Sequence, residues 1–230
     1  LIIPKSALKV QWQHETMRWM GEDYLAQIIS STNDHFLPGF SAYIMSYDLV
    51  SRFSEPKKSK AGKDKWLKAF DSSTDKIDNI KEDNRLIKEI KKLGIKTIIL
   101  DEVQQIKNTE SKRTIYVREL CKHVEHIIAL SGTPIKNNAL EYFPILNILQ
   151  PTIFPRFSHF QMNYCDTYFD GFKYKAGGIR DPKGFLEKTK NFIIRREMKD
   201  VKDDLPSPQD PINRRFSFHE LGEEVEKLYA

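Results

Sequence analysis

Two cysteines, Cys121 and Cys165, are all that 230 residues contain. That is too few for a disulfide framework and favours a reducing compartment. Glycine is sparse too, at 10 residues, and no Gly-x-x-x-x-Gly-Lys-Ser/Thr run occurs. Gly62-Lys63 lacks the upstream glycine, the following hydroxyl and the preceding strand, so it is not a phosphate loop. No apolar run approaches membrane-spanning length and no secretory signal is visible. An initiator methionine is missing as well: the chain begins at Leu1, inside a strand-like Leu-Ile-Ile, and reads as part of a longer protein. Cys121, His123 and His126 crowd together in sequence. They do not read as a metal site, because Cys121 should end a helix while His126 opens a strand.

The composition that remains is globular, with 40% hydrophobic and 30% charged residues, enough for one substantial domain with a packed core. A net charge of +5 suits a polyanionic partner without specifying one. Lys57-Lys58-Ser59-Lys60 reads as a solvated basic loop.

Two segments carry the chemistry. Thr97-Ile98-Ile99-Leu100 is an unbroken apolar run that ends in Asp101-Glu102. Such a run predicts a strand buried on both faces of a parallel sheet, with its two acids at the carboxyl end, where ligands bind. Two carboxylates there call for a positive partner, and Mg²⁺ with phosphates answers the need. Asp101 would hold Mg²⁺ through a water and Glu102 would orient or deprotonate the attacking water. An acidic turn after a core strand is the plainer alternative. The second segment, His126 to Leu130, predicts another buried strand that runs into Ser131-Gly132-Thr133-Pro134, a tight turn exposing hydroxyls and N–H groups at the same sheet edge. Between the two lies room for one crossover helix, about Ser111 to Lys122.

Leu100 through Asn108 (LDEVQQIKN) resembles the D-E-A-H-R-I-K-N box of Snf-type DNA-dependent ATPases of helicase superfamily II. Leu130 through Asn138 (LSGTPIKNN) resembles their L-S/T-G-T-P-I-Q-N-N motif. Leu1 to Trp12 resembles V-x-P-x-S-L-x-x-W, and Ser46-Tyr47-Asp48-Leu49 resembles the family's strand ending in S-Y-D/E-L. The segment from Pro151 to Asp166 is similar to the annealing-helicase (HARP-like) branch, and Phe192 to Pro206 resembles F-x-L-R-R-x-K-x-D-V-x-x-x-L-P. The family's Ala-His after the acids is Val103-Gln104 here; Gln104 keeps donor and acceptor capacity without titrating near neutral pH.

The resemblance implies an α/β fold: the first RecA-like lobe (P-loop NTPase type) of a superfamily-two helicase core, a three-layer parallel sheet lacking its phosphate loop. The lobe would cover residues 1–150, with an insertion near 52–92. A helical protrusion and return would cover 151–206, and 207–230 would lead toward a second lobe. By resemblance Gln104, Ser131, Gly132 and Thr133 couple the nucleotide site to DNA. Lys5, Ser6, Ser46, Lys107, Lys136, Asn137 and Asn138 would contact the DNA backbone, and Arg195 and Arg196 would lie near the cleft between lobes. ATP and Mg²⁺ are the implied cofactors, and DNA and the second lobe the implied partners. The implied activity is an ATP-driven double-stranded DNA translocase. A binding-only module and an RNA-acting helicase are the alternatives. The compartment would be the nucleus in a eukaryote and the cytoplasm in a bacterium or virus-infected cell. Trp12 and Trp19 are expected as core anchors of a helix from Ala7 to Met20. The aromatics from Phe154 to Tyr174 are expected as the core of a helical subdomain, with base stacking as the alternative.

Overall fold

A computed structural model describes residues 1–54, 84–133, 138–169, 171–172, 174–196 and 200. Most of the expected 52–92 insertion, the Lys57–Lys60 run, Lys136, Asn137 and the 207–230 linker lie outside the described residues. The chain divides into two compact units, Leu1–Lys188 and Thr189–Ala230.

The first unit is built on five parallel strands: β1 (Ile2–Ile3), β2 (Ala26–Ile28), β3 (Ala42–Ile44), β4 (Thr97–Leu100) and β5 (His126–Ala129). Their order is β2-β3-β1-β4-β5. The register sets Ile3 beside Leu100 and Leu100 beside Ala129, so β1, β4 and β5 run out at one edge. Helices follow from local signals. Helix α1 (Lys9–Met20) stops at Gly21, whose φ of 98° suits only glycine and whose N–H bonds the Met17 carbonyl. Helix α2 (Tyr47–Ser54) follows β3 directly. Helix α3 (Arg85–Lys92) is capped by the Asn84 side chain, which accepts from Leu86 and Ile87 N–H, and it buries Leu86, Ile87 and Ile90. Helix α4 (Lys112–Cys121) is the expected crossover, capped by Ser111. Helix α5 (Phe143–Leu149) begins with Pro144 in its first turn, where a missing N–H costs nothing.

The two sheet faces are covered differently. One carries the larger core, where Ile98 and Leu100 meet residues of α2, α3, α4 and α5, including Val50, Ile90, Val117 and Ile145. On the other, Trp12 and Tyr24 cover Ile2, Ala26, Ala42 and Ile44. This second cover does not extend to β5, which is the outermost strand on its side; Ile128 is 47% and Leu130 39% exposed. The strand from His126, expected to be buried, is therefore only half-covered among the described residues.

Several other expectations need correction. The first helix begins later than Ala7, after a 3-10 turn at Ser6–Leu8. Trp19 is not a core anchor: it is 76% exposed and gives its indole N–H to Glu15. Of the two tryptophans only Trp12 packs against the sheet. Before the Arg195-Arg196 pair, helix α7 (Pro182–Thr189) ends in a turn with Phe192 and Ile193 N–H on the Thr189 carbonyl. The expected helical protrusion contains α6 (Phe157–Tyr164), but the chain then forms an antiparallel hairpin, β6 (Cys165–Phe169) with β7 (Tyr174–Ile179). Gly171, at φ 97°, lies in the turn.

The aromatic run splits accordingly. Phe154, Phe160, Tyr164 and Phe185 form one cluster with centroid separations of 5.4–6.4 Å. Tyr168, Phe169 and Phe172 lie exposed on the hairpin. Cys121 and Cys165 are both buried, and burial lifts their thiols to about 12 and about 11. Phe160→Ala should lower the unfolding free energy by about 3–5 kcal/mol through loss of the cluster's centre. Phe172→Ala should stay within about 0.5 kcal/mol. Denaturant unfolding of the two variants checks the contrast, and similar costs would contradict this division.

Candidate functional site at the carboxyl ends of the strands

Where β4 ends, the main chain is pinned from both sides. Asp101 N–H bonds the Ile3 carbonyl at 3.1 Å, and Val103 N–H bonds the Leu130 carbonyl at 2.9 Å. Between them Glu102 takes φ 50°, ψ 51°, the left-handed region. A residue with a Cβ pays about 1–2 kcal/mol for that conformation. The reversal drops Gln104, 6% exposed, beneath the turn while the two acids stay partly exposed above it.

Asp101 is held by neutral donors. Its Oδ1 accepts from Glu102 N–H at 2.9 Å and its Oδ2 from the Trp12 indole N–H at 2.8 Å. Its carbonyl accepts from the Tyr47 hydroxyl at 2.8 Å. Burial, reinforced by the Asp101 carboxylate, pushes that phenol far above its usual range, so Tyr47 remains a donor. At 2% exposure the Tyr47 ring is packed inside the lobe.

Glu102 is held by Gln104, whose Nε2 donates to Glu102 Oε2, and by a loose ion pair from Lys5 Nζ to Oε1 at 3.9 Å. A carboxylate can only accept, so the amide nitrogen faces Glu102 and the amide oxygen faces the other way. There Ser131 Oγ donates to Gln104 Oε1 at 2.7 Å and accepts from Thr133 N–H at 3.0 Å. Glu102, Gln104, Ser131 and Thr133 thus form one continuous hydrogen-bonded path between the ends of β4 and β5. Gly132 and Thr133 are exposed at its outer end.

The residues fit Mg²⁺ in kind. Asp101 offers hard oxygen at a strand end, and each oxygen retains a lone pair beyond the hydrogen bond it accepts. Among the described residues no three His, Cys, Asp or Glu side chains gather to cage a metal. One carboxylate with waters and substrate phosphates is the usual set for this ion.

The expected DNA contacts separate into groups. Lys5 and Ser6 are exposed at the mouth of the site. Ser46 is instead buried, at 8% exposure, and its carbonyl receives Leu49 and Val50 N–H at the start of α2. Lys107 is held by Glu141 at 2.7 Å within a groove of about 540 Å³ shared with Asn108, Ser111 and Arg113. The groove is bordered by Asp48, which pairs with Arg113. Asn138 is partly buried, and its Oδ1 finds no hydrogen-bond partner among the described residues. Arg195 and Arg196 are exposed at the end of the described stretch, in the second unit.

Sequence reading missed two links: Trp12 to Asp101, and Lys5 to Glu102. A buried indole needs an acceptor for its N–H, which is the signal that Trp12 carried. The Lys5 pair depends on tertiary approach and left no trace in spacing. Replacing Glu102 by glycine should remove the left-handed penalty, so the unfolding free energy should hold or rise by up to about 1 kcal/mol. Denaturant unfolding tests this; a loss above about 1 kcal/mol would mean that the Gln104 and Lys5 contacts outweigh the strain.

Comparison with known proteins places the fold and the family. The SNF2-related domain model matches residues 1–229. A Caenorhabditis elegans SWI/SNF-related matrix-associated actin-dependent regulator of chromatin subfamily A-like protein 1 homolog is 33% identical over 118 residues, covering 51% of this chain and 17% of that protein. The mouse subfamily A member 1 protein is 27% identical over 217 residues, covering 90% of this chain and 16% of that one. The chain therefore spans less than a fifth of the length of these relatives. The Sulfolobus solfataricus SWI2/SNF2 ATPase core in complex with dsDNA superposes with a TM-score of 0.56 at 18% identity, covering 89% of this chain and 35% of the other. At that identity the likeness shows the RecA-like lobe fold. This chain belongs to the SNF2-related domain family.

Proposed function

We propose that the chain is the Mg²⁺- and water-handling part of an ATP-driven translocase on double-stranded DNA. The observation that carries the reading is the path from Glu102 through Gln104 to Ser131, which ties the acid pair to the turn after β5. Residues 1–150 would serve as the first lobe, 151–206 as protrusion and return, and 207–230 as the connection to a second lobe. The phosphate loop and the second lobe would come from other parts of the parent protein, with Arg195 and Arg196 near the cleft. The relatives named above are chromatin regulators by name, which supports the nucleus as the compartment if the parent protein is eukaryotic; in a bacterium or a virus-infected cell it would be the cytoplasm.

Asp101, whose carboxylate is fixed by two hydrogen bonds, would hold Mg²⁺ through a water; bound Mg²⁺ neutralises charge on the transferring phosphate. Glu102 would accept a hydrogen bond from the attacking water. Gln104 ties up Oε2 and leaves Oε1 toward Lys5. Lys5 and Ser6 would meet the DNA backbone, joined by Lys136, Asn137 and Asn138 after the Ser-Gly-Thr turn. Ser46 and Lys107, engaged inside the lobe, would contribute only after local rearrangement. Lys5 is 44% and Glu102 33% exposed at the side chain, and a pair of that kind is worth no more than about 1 kcal/mol. A DNA phosphate can therefore draw Lys5 away from Glu102 at small cost.

The test is ATP turnover by the parent protein with and without duplex DNA. Glu102→Gln should cut the DNA-stimulated rate by about 10²–10⁴-fold with DNA binding intact. Stimulated turnover that survives in this variant would overturn the reading. Lys5→Ala should weaken duplex binding and reduce the slope of log affinity against log salt by about 1. An unchanged slope would remove Lys5 from the backbone contacts.

A further inference from the structure

Trp12 is the one described side chain that brings an aromatic N–H to the acid pair, across 89 positions of sequence. The indole is fixed by packing. It covers Ile2, Ala26, Ala42 and Ile44 beside Tyr24 and Ile99, which leaves its edge over the end of β4. Its Nε1–H can only donate, so unlike a hydroxyl or an amide it cannot turn to receive a proton from a metal-bound water. With Oδ2 taken by this N–H and Oδ1 by Glu102 N–H, the plane of the Asp101 carboxylate is set. Beside it opens a cavity of about 280 Å³ lined by Leu8, Gln11, Trp12, Glu15 and Asp101.

We propose that Trp12 is a positioning residue for the metal-holding carboxylate: its N–H decides which lone pairs Asp101 presents to Mg²⁺ and its waters. This rests on the reading of Asp101 as the Mg²⁺ holder. A phenylalanine would fill the hydrophobic seat against Ile2 and Ile44 almost as well. The packing role therefore needs a large ring, whereas the positioning role needs the N–H. Partners that orient a metal's ligand usually matter about 10–100-fold in metal affinity when removed.

The experiment uses the parent protein, with a fluorescent ADP analogue as probe and Mg²⁺ as the titrant. Trp12→Phe should raise the Mg²⁺ concentration for half-maximal probe binding by about 10-fold. Probe affinity in EDTA and the melting temperature should stay at wild-type values. Benzothienylalanine at position 12, which replaces the N–H by sulfur within the same ring outline, should reproduce the shift and serves if the phenylalanine variant fails to fold. An unchanged Mg²⁺ dependence in the folded variants, with Asp101→Asn shifted, would overturn the proposal and leave Trp12 as packing. If Asp101→Asn is itself unshifted, the assignment of Asp101 to Mg²⁺ fails, and the role of Trp12 with it.

Discussion

The hydrogen bond from Val103 N–H to the Leu130 carbonyl closes the ends of β4 and β5 on each other, and the site depends on that closure. Closure forces the chain to reverse within a single residue, which is why Glu102 adopts a left-handed conformation although it carries a side chain. It also carries Gln104 under the turn and within reach of Ser131. Strain of this kind persists only where the surroundings over-determine it. Here they do so through Asp101 N–H on Ile3, Val103 N–H on Leu130 and the Gln104 amide on Glu102.

The two acids, adjacent in sequence, are held in opposite ways. Asp101 is surrounded by neutral, directional donors from three elements, an indole, an amide and, on its carbonyl, a phenol. Such bonds fix orientation without adding positive charge that would compete with a cation. Glu102 has one amide contact and one distant, half-exposed lysine. The first acid is set and the second can be released, a division that suits a metal holder beside a water-activating group. Because Lys5 leads into α1 and α1 carries Trp12, a single stretch of chain touches both acids.

Much of this was legible in the residues. Apolar runs ending in Asp101-Glu102 and in Ser131-Gly132-Thr133 located both strands and the edge where they meet. Ser111 marked the crossover helix, since a hydroxyl at its start satisfies an otherwise unpaired N–H. What stayed hidden was tertiary. Thr97–Leu100 and His126–Ala129 look alike in sequence, yet one lies inside the sheet and the other at its margin, because strand order is not written in periodicity. The hairpin at Cys165–Ile179 was read as helical, since aromatic spacing alone does not separate Tyr164, inside the cluster, from Tyr168, outside it. Ser46 looked like a surface hydroxyl because helix α2, which starts over it, resembled a continuing strand.

The most direct measurement is a double-mutant cycle on DNA-stimulated ATP turnover by the parent protein, with Gln104→Leu, Ser131→Ala and both together. If the path through Gln104 couples the acid pair to the turn after β5, the two losses should overlap, with an interaction energy of at least about 0.5 kcal/mol. Losses that add to within about 0.3 kcal/mol would contradict the account, leaving the Glu102–Gln104–Ser131 path as a structural tie with no part in turnover.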